Sequence, residues 1–264
     1  MDKLKLAIST CPNDTFIFGA LIRKDIDFPF EIELTMEDIH LCNNMALKEE
    51  QDIVKVSFGV FPLIKDNYKI LKCGGALGFG CGPLVLSKKY KTMEELKHKK
   101  IAVPGENTTA FMVLKRFYPE CTENIEVMRF DKIMPALKNE EVDGGLVIHE
   151  GRFTFNQYNL TKVTDLGVEW ESNYNLPIPL GFIAIHKKYI HLADMINNTI
   201  TKSIEYAYNN KEKALSFCKK YAQDMDDNVI DSHIALYVNE YSKDLSPAIK
   251  AVSVLVDADK SVFV

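Results

Sequence analysis

Short apolar runs alternate along this chain with longer stretches in which apolar residues recur at helical spacing, and that alternation restricts the fold more than any single motif. A run such as Leu84-Val85-Leu86 offers apolar side chains to both faces of a sheet, so both faces need covers, and the helical stretches between the runs supply them. The pattern predicts an α/β fold with largely parallel strands. Candidate strands fall at residues 4–9, 31–35, 53–56, 83–87, 101–103, 125–129, 145–148 and 181–186, and a helical tail follows at 192–209, 211–221, 227–241 and 247–256.

With 264 residues and 47% hydrophobic content, the chain can bury one large core or two of ordinary size. An internal similarity favours two. Gly82-Pro83-Leu84-Val85-Leu86-Ser87-Lys88-Lys89-Tyr90 and Gly181-Phe182-Ile183-Ala184-Ile185-His186-Lys187-Lys188-Tyr189 both read as glycine, an apolar run, one polar residue, then Lys-Lys-Tyr. Taken as two strands leaving a domain, they bracket a smaller α/β domain at residues 88–186, inserted into a larger one made of 1–87 and 187–264. Two adjacent connecting strands would form a hinge, with a cleft between the lobes.

The formal net charge is −5, with both signs mixed along the chain, which leaves no electrostatic footprint for a nucleic acid or an anionic bilayer. No apolar stretch approaches the ~20 residues that span a bilayer. Met1-Asp2-Lys3-Leu4-Lys5 runs into a strand without the apolar core of a secretion signal, so the expected location is cytoplasmic. The six cysteines are scattered, with no Cys-x-x-Cys pair and no Cys/His cluster at zinc spacing, and read as reduced core thiols. There is no His-Glu-x-x-His motif, and Asp224-Met225-Asp226-Asp227 reads as a helix cap. Neither a metal nor a cofactor is expected.

Open α/β sheets bind ligands outside the carboxyl ends of their strands, and four of the candidate strands end in segments suited to holding a small polar molecule. The first runs into Ser9-Thr10-Cys11-Pro12-Asn13-Asp14-Thr15-Phe16, where Pro12 and Asn13 make a turn and Asn13 or Asp14 caps a helix through residues 18–22. The free amides of that helix would attract an anion or a polar oxygen. The third ends in Lys55-Val56-Ser57-Phe58-Gly59, which brings a hydroxyl to the sheet edge. The fifth leads into Pro104-Gly105-Glu106-Asn107-Thr108-Thr109-Ala110 and a helix over 111–117, so two adjacent hydroxyls stand at a helix N-terminus suited to a carboxylate or carbonyl oxygen. The spacing is not that of a Walker A loop, which disfavours nucleoside triphosphates.

The fourth segment, Gly145-Leu146-Val147-Ile148-His149-Glu150-Gly151-Arg152, delivers a histidine at the end of a buried strand. Histidine is the side chain whose ordinary pKa lies near neutrality, so His149 is the candidate proton-transfer base. No Gly-x-Ser-x-Gly elbow or Ser-His-Asp arrangement accompanies it, which favours general base chemistry over acyl transfer.

These segments carry a family resemblance. Ser9-Thr10-Cys11-Pro12-Asn13-Asp14-Thr15-Phe16, Lys55-Val56-Ser57, the Pro104-Gly105 turn with Thr108-Thr109-Ala110, and Leu146-Val147-Ile148-His149-Glu150-Gly151 resemble the motifs of the 1,4-dihydroxy-6-naphthoate synthase family of the futalosine route to menaquinone, in that order and spacing. The resemblance covers essentially the whole chain. It implies an α/β fold similar to type II periplasmic binding proteins, two Rossmann-like domains joined by a two-strand hinge, with the active site in the cleft. It also implies conversion of cyclic dehypoxanthine futalosine to 1,4-dihydroxy-6-naphthoate by a carbon–carbon lyase. By this resemblance His149 is the proton acceptor, and Lys55, Val56, Ser57, Thr109 and Ala110 line the substrate site. Thr10 stands where the family commonly has proline, so the first loop departs from the common form.

The implied chemistry is a retro-aldol cleavage in which His149 takes a proton from a substrate hydroxyl, aromatisation drives the reaction, and donors at Ser57 or Thr109 stabilise the oxygen that receives the electrons. The implied partner is a small molecule with an aromatic carboxylate, bound by a monomer or homodimer, and Arg152 or one of the two helix N-termini, at Asn13 to Thr15 or at Thr108 to Ala110, is the candidate partner for that carboxylate. Two other readings share the architecture: a binding protein that closes on an organic anion without chemistry, and the sister enzyme that dehydrates chorismate.

Overall fold

The computed structural model describes residues 3–222 and 225–264; Asp224 of the acidic run read as a cap, and Met1 and Asp2 of the N-terminal reading, lie outside them. Eleven strands follow one another among the described residues: β1 (Lys3–Ser9), β2 (Glu31–Glu37), β3 (Ile53–Ser57), β4 (Tyr68–Ile70), β5 (Ala76–Gly78), β6 (Leu84–Ser87), β7 (Ile101–Val103), β8 (Ile125–Val127), β9 (Gly144–Val147), β10 (Thr161–Asp165) and β11 (Ile178–His186). All eight strands expected from the apolar runs are present. The three additional ones gave no such signal: β4 and β5 are three residues each, and β10, Thr-Lys-Val-Thr-Asp, is a polar edge strand in which Asp165 alone is buried.

The chain forms two compact units, Met1–Gly78 with Pro179–Val264, and Phe79–Ile178, so both crossings fall earlier than residues 87 and 186. In the first unit the sheet order is β2-β1-β3-β11-β4, with β5 paired to β11. β2 and β3 run parallel to β1, while β11 runs antiparallel to both β3 and β4. Helix Pro12–Ile22 is buried from Pro12 through Leu21, because its Phe16 and Ile17 join Leu6, Ile183, Ile200 and Ile204 in one core cluster. Burying a helix on every side explains why it lacks the polar stripe of a surface helix.

The second unit is a five-stranded sheet ordered β10-β6-β9-β7-β8. β8 and β9 run parallel to β7, and β6 runs antiparallel to β9. Ala102, Leu84, Leu86, Ile133, Leu137 and Val147 form its core cluster.

Two expectations are corrected here. The sheets are mixed rather than largely parallel, since a strand buried on both faces reads as a continuous apolar run whichever way it points. The similar segments at 82–90 and 181–189 are not adjacent connecting strands: β6 and β11 lie in different sheets, and each is an internal antiparallel strand of its own unit. In the tail, the expected helix over 227–241 breaks into Asp227–Tyr237 and Glu240–Lys243, where Asn239 and Ser242 close a capping box. Asp226 stands at the N-cap of Asp227–Tyr237 without a side-chain cap bond. All six cysteines are buried, and none forms a disulfide among the described residues.

Candidate active site

Within the first unit, β1 and β3 are parallel neighbours, so their carboxyl ends open on the same edge. The segment after β1 does not cap its helix as expected. Cys11 is the N-cap and Pro12 the first helical residue, which places Asn13, Asp14 and Thr15 inside the first turn, all buried. There Asp14 becomes the hub of a polar cluster. Its Oδ2 accepts from Ser9 Oγ (2.6 Å), and its Oδ1 accepts from Asn13 Nδ2 (2.8 Å) and Lys55 Nζ (2.7 Å).

Lys55 comes from the middle of β3, and its ammonium also donates to the Gly74 carbonyl at 2.9 Å. Gly74 sits at φ +78°, and a Cβ there would lie 2.6 Å from Ile183 Cγ1, so glycine is needed to present that carbonyl. The side chains of Lys55 and Asp14 are 4% and 1% exposed, which makes this a buried, hydrogen-bonded ion pair. Val56 is fully buried in β3. Ser57 ends the strand, and its amide donates to Asn43 Oδ1 at 2.9 Å on helix Ile39–Leu47. Thr15 turns its hydroxyl back onto the Cys11 and Pro12 carbonyls (3.1 and 3.2 Å), a local role in the helix start.

Within the second unit, β7 and β9 are again parallel neighbours. Thr108 caps the helix, here Thr109–Phe117 and not 111–117, by accepting from the Phe111 amide (3.2 Å) while donating to the Gly105 carbonyl (2.7 Å). Thr108, Thr109 and Ala110 are all buried. At the end of β9 the backbone turns at His149 with φ +56°, an uncommon conformation for a residue with a side chain. Strain of this kind is found where a site fixes a side chain. The imidazole packs edge-on against Phe130, with ring centroids 5.0 Å apart at 70°.

Glu150 follows as the N-cap of the single turn Gly151–Thr154. Burial pushes its carboxyl up to about 7, its own backbone amide works in the opposite direction, and the nearby Asp131 charge raises it further. Asp131 is held below its ordinary value chiefly by Arg129, whose guanidinium donates to both carboxylate oxygens at 2.6 Å.

Arg152 is a correction. Its Nη2 donates to both oxygens of Asp165 (2.9 and 2.8 Å), and Nε and Nη2 donate to the Gly82 carbonyl (3.2 and 2.9 Å). Asp165 in turn accepts from the Gly167 and Val168 amides at the start of helix Leu166–Tyr174. The fork is therefore engaged in holding β6, β10 and the Gly151 turn together, and is not placed as a carboxylate clamp. Sequence reasoning missed Asn43 and Gly74 in the first unit, and Phe130, Asp131 and Asp165 in the second, which meet the singled-out segments through pairings distant in sequence. Asp131 directly before an amphipathic helical run was the one local signal available.

Helices flank both sheets, and each sheet directs two parallel strand ends into a helix N-terminus or a tight turn, which defines an α/β protein of the periplasmic-binding-protein type. The alkanesulfonate-binding protein SsuA from Xanthomonas axonopodis pv. citri shares this fold at a TM-score of 0.73 and 11% identity, over 97% of this chain and 92% of that one. Residues 4–258 match the family model described as menaquinone biosynthesis. Over 92% of this chain, it is 41% identical to a 1,4-dihydroxy-6-naphtoate synthase of Streptomyces coelicolor, covering 88% of that protein. It is 38% identical to the Thermus thermophilus protein of the same name, with 93% of this chain and 89% of that one covered. The chain belongs to the menaquinone-biosynthesis family.

Proposed function

We propose that this chain is a carbon–carbon lyase of menaquinone biosynthesis that converts cyclic dehypoxanthine futalosine to 1,4-dihydroxy-6-naphthoate, with His149 as general base. The observation that carries the reading is the position of His149: a left-handed residue separated from the end of a buried strand by Ile148 alone, braced by Phe130, in a chain about 40% identical to two synthases of that name. A neutral imidazole fixed in this way accepts a proton from a substrate hydroxyl. Collapse of the alkoxide breaks the carbon–carbon bond, and aromatisation of the ring system makes the step favourable.

Each unit carries groups suited to holding such a substrate. From the second unit, the amides and hydroxyls at Thr108, Thr109 and Ala110 favour negative charge at the start of a helix. With Arg152 bound to Asp165, this helix start is the preferred partner for the substrate carboxylate. From the first unit, Ser57 offers a hydroxyl at the end of β3, on a segment held rigid by the cluster of Lys55, Asp14, Asn13 and Ser9.

The test is to incubate the purified protein with cyclic dehypoxanthine futalosine and follow the naphthoate chromophore. Absence of the chromophore rejects the reading, and appearance of 3-enolpyruvyl benzoate from chorismate replaces it with the sister activity. His149→Asn should lower turnover about 10²–10⁴-fold with the fold intact, the range of a positioned base. A variant retaining near-wild-type turnover would remove His149 from the role.

A further inference from the structure

The group beside His149 with no assigned task is the carboxyl of Glu150. Its Oε2 is buried and, among the described residues, has no hydrogen-bond partner. A buried carboxyl oxygen without a partner costs free energy, more so when ionised, and such sites persist where a ligand supplies the missing interaction. Glu150 and His149 also both lie near the start of one helix. The imidazole lies on Phe130, the Glu150 carboxyl senses Asp131, and these two residues open helix Phe130–Lys138.

From this geometry we propose that Glu150 is the proton donor that complements His149 in the lyase reaction, resting on the function proposed above. The step balances. His149 removes the proton of the substrate hydroxyl, the alkoxide becomes a carbonyl as the carbon–carbon bond breaks, and the electron pair moves onto a conjugated carbonyl oxygen of the ring system as an enolate. The neutral Glu150 carboxyl delivers its proton to that oxygen, completing a phenolic hydroxyl. The imidazolium then returns its proton to the Glu150 carboxylate, so the pair is reset without oxidant, reductant or net proton change.

The surroundings favour the neutral acid. Burial raises the carboxyl to about 7, and the facing charge on helix Phe130–Lys138 is the anion of Asp131. The cations nearest to Asp131 are bound to it: Arg129 lies in its bidentate pair, and Lys132 Nζ is 3.8 Å from Asp131 Oδ2. On the far side of the turn, Arg152 is paired with Asp165.

The test is the pH profile of kcat/KM for naphthoate formation in the wild type, set beside Glu150→Gln and Glu150→Asp. A required neutral acid makes the wild-type profile fall as pH rises through about 7, where Glu150 ionises. Glu150→Gln is nearly isosteric but carries no transferable proton; it should lose that falling limb, lower kcat about 100-fold or more and leave KM little changed. Glu150→Asp retains a proton and should recover part of the loss. A wild-type profile that is flat above neutrality, or Glu150→Gln within about twofold of wild-type kcat, overturns the proposal while the lyase function stands. A wild type that forms no naphthoate overturns both, and is recognised before any variant is measured.

Discussion

Removing one partner of the buried pair formed by Asp14 and Lys55 should destabilise the first unit far more than removing both. In Lys55→Met, the Asp14 carboxylate keeps its bonds from Ser9 Oγ and Asn13 Nδ2, so the uncompensated charge is still partly solvated by protein. The cost should fall at the lower end of the range for broken buried pairs, about 3 kcal/mol. In Asp14→Asn, the ammonium keeps the Gly74 carbonyl at 2.9 Å and a neutral amide oxygen but loses its counter-charge, and the cost should again be about 3–5 kcal/mol. The double variant buries no charge and keeps hydrogen-bonding groups beside Ser9 and Asn13. It should therefore cost less than either single change, about 2 kcal/mol or less. Urea unfolding followed by far-ultraviolet circular dichroism measures all three against the wild type. Single variants that each cost less than about 1 kcal/mol, or a double variant equal to the sum, would show that the pair is not the desolvated interaction its geometry describes.

Two further outcomes concern the second unit. Arg152→Lys should lower stability by about 1–2 kcal/mol, since an ammonium cannot reproduce the fork onto Asp165 and Gly82, yet leave KM unchanged; a raised KM would return Arg152 to the substrate. Thr108→Ala removes the cap of helix Thr109–Phe117 and should cost about 1 kcal/mol in thermal or urea unfolding, and an unchanged midpoint would mean that the cap bond contributes nothing.

Much of the fold was legible because buried strands and long helices repeat their signal over several residues. β1, β3, β7 and β9 end within a residue or two of where the apolar runs stop, and their carboxyl ends carry the segments singled out from sequence. Strand direction was not legible, because residues 84–87 and 178–186 bury both faces whichever way they run. Capping was misread after β1 because Asn13 and Asp14 are good cap residues by type. Pro12, however, is pre-set for the first helical position, and that shifts the cap to Cys11. For Arg152, one of three candidates for a carboxylate, the pairing that engages it was equally illegible, because Asp165 lies thirteen residues on.

The two units also explain an internal similarity that spacing alone misread. In the first, β1 is flanked by parallel β2 and β3, and antiparallel β11 lies beside β3; in the second, β7 is flanked by parallel β8 and β9, and antiparallel β6 lies beside β9. Residues 181–189 and 82–90 thus resemble each other because β11 and β6 hold equivalent places. The equivalence extends to the site. β1 and β7 each feed a helix, Pro12–Ile22 and Thr109–Phe117, while β3 and β9 each run into a short turn beginning at Ser57 or His149. In the first unit, the helix after the outer parallel strand supplies Asn43, which holds the Ser57 amide. In the second, the corresponding helix supplies Phe130, which braces the His149 ring. One topology therefore places a hydroxyl in one unit and an imidazole in the other. The two differ in how the chain leaves the third parallel strand: φ is −71° at Ser57 but +56° at His149, so an exit that is ordinary in the first unit is strained in the second.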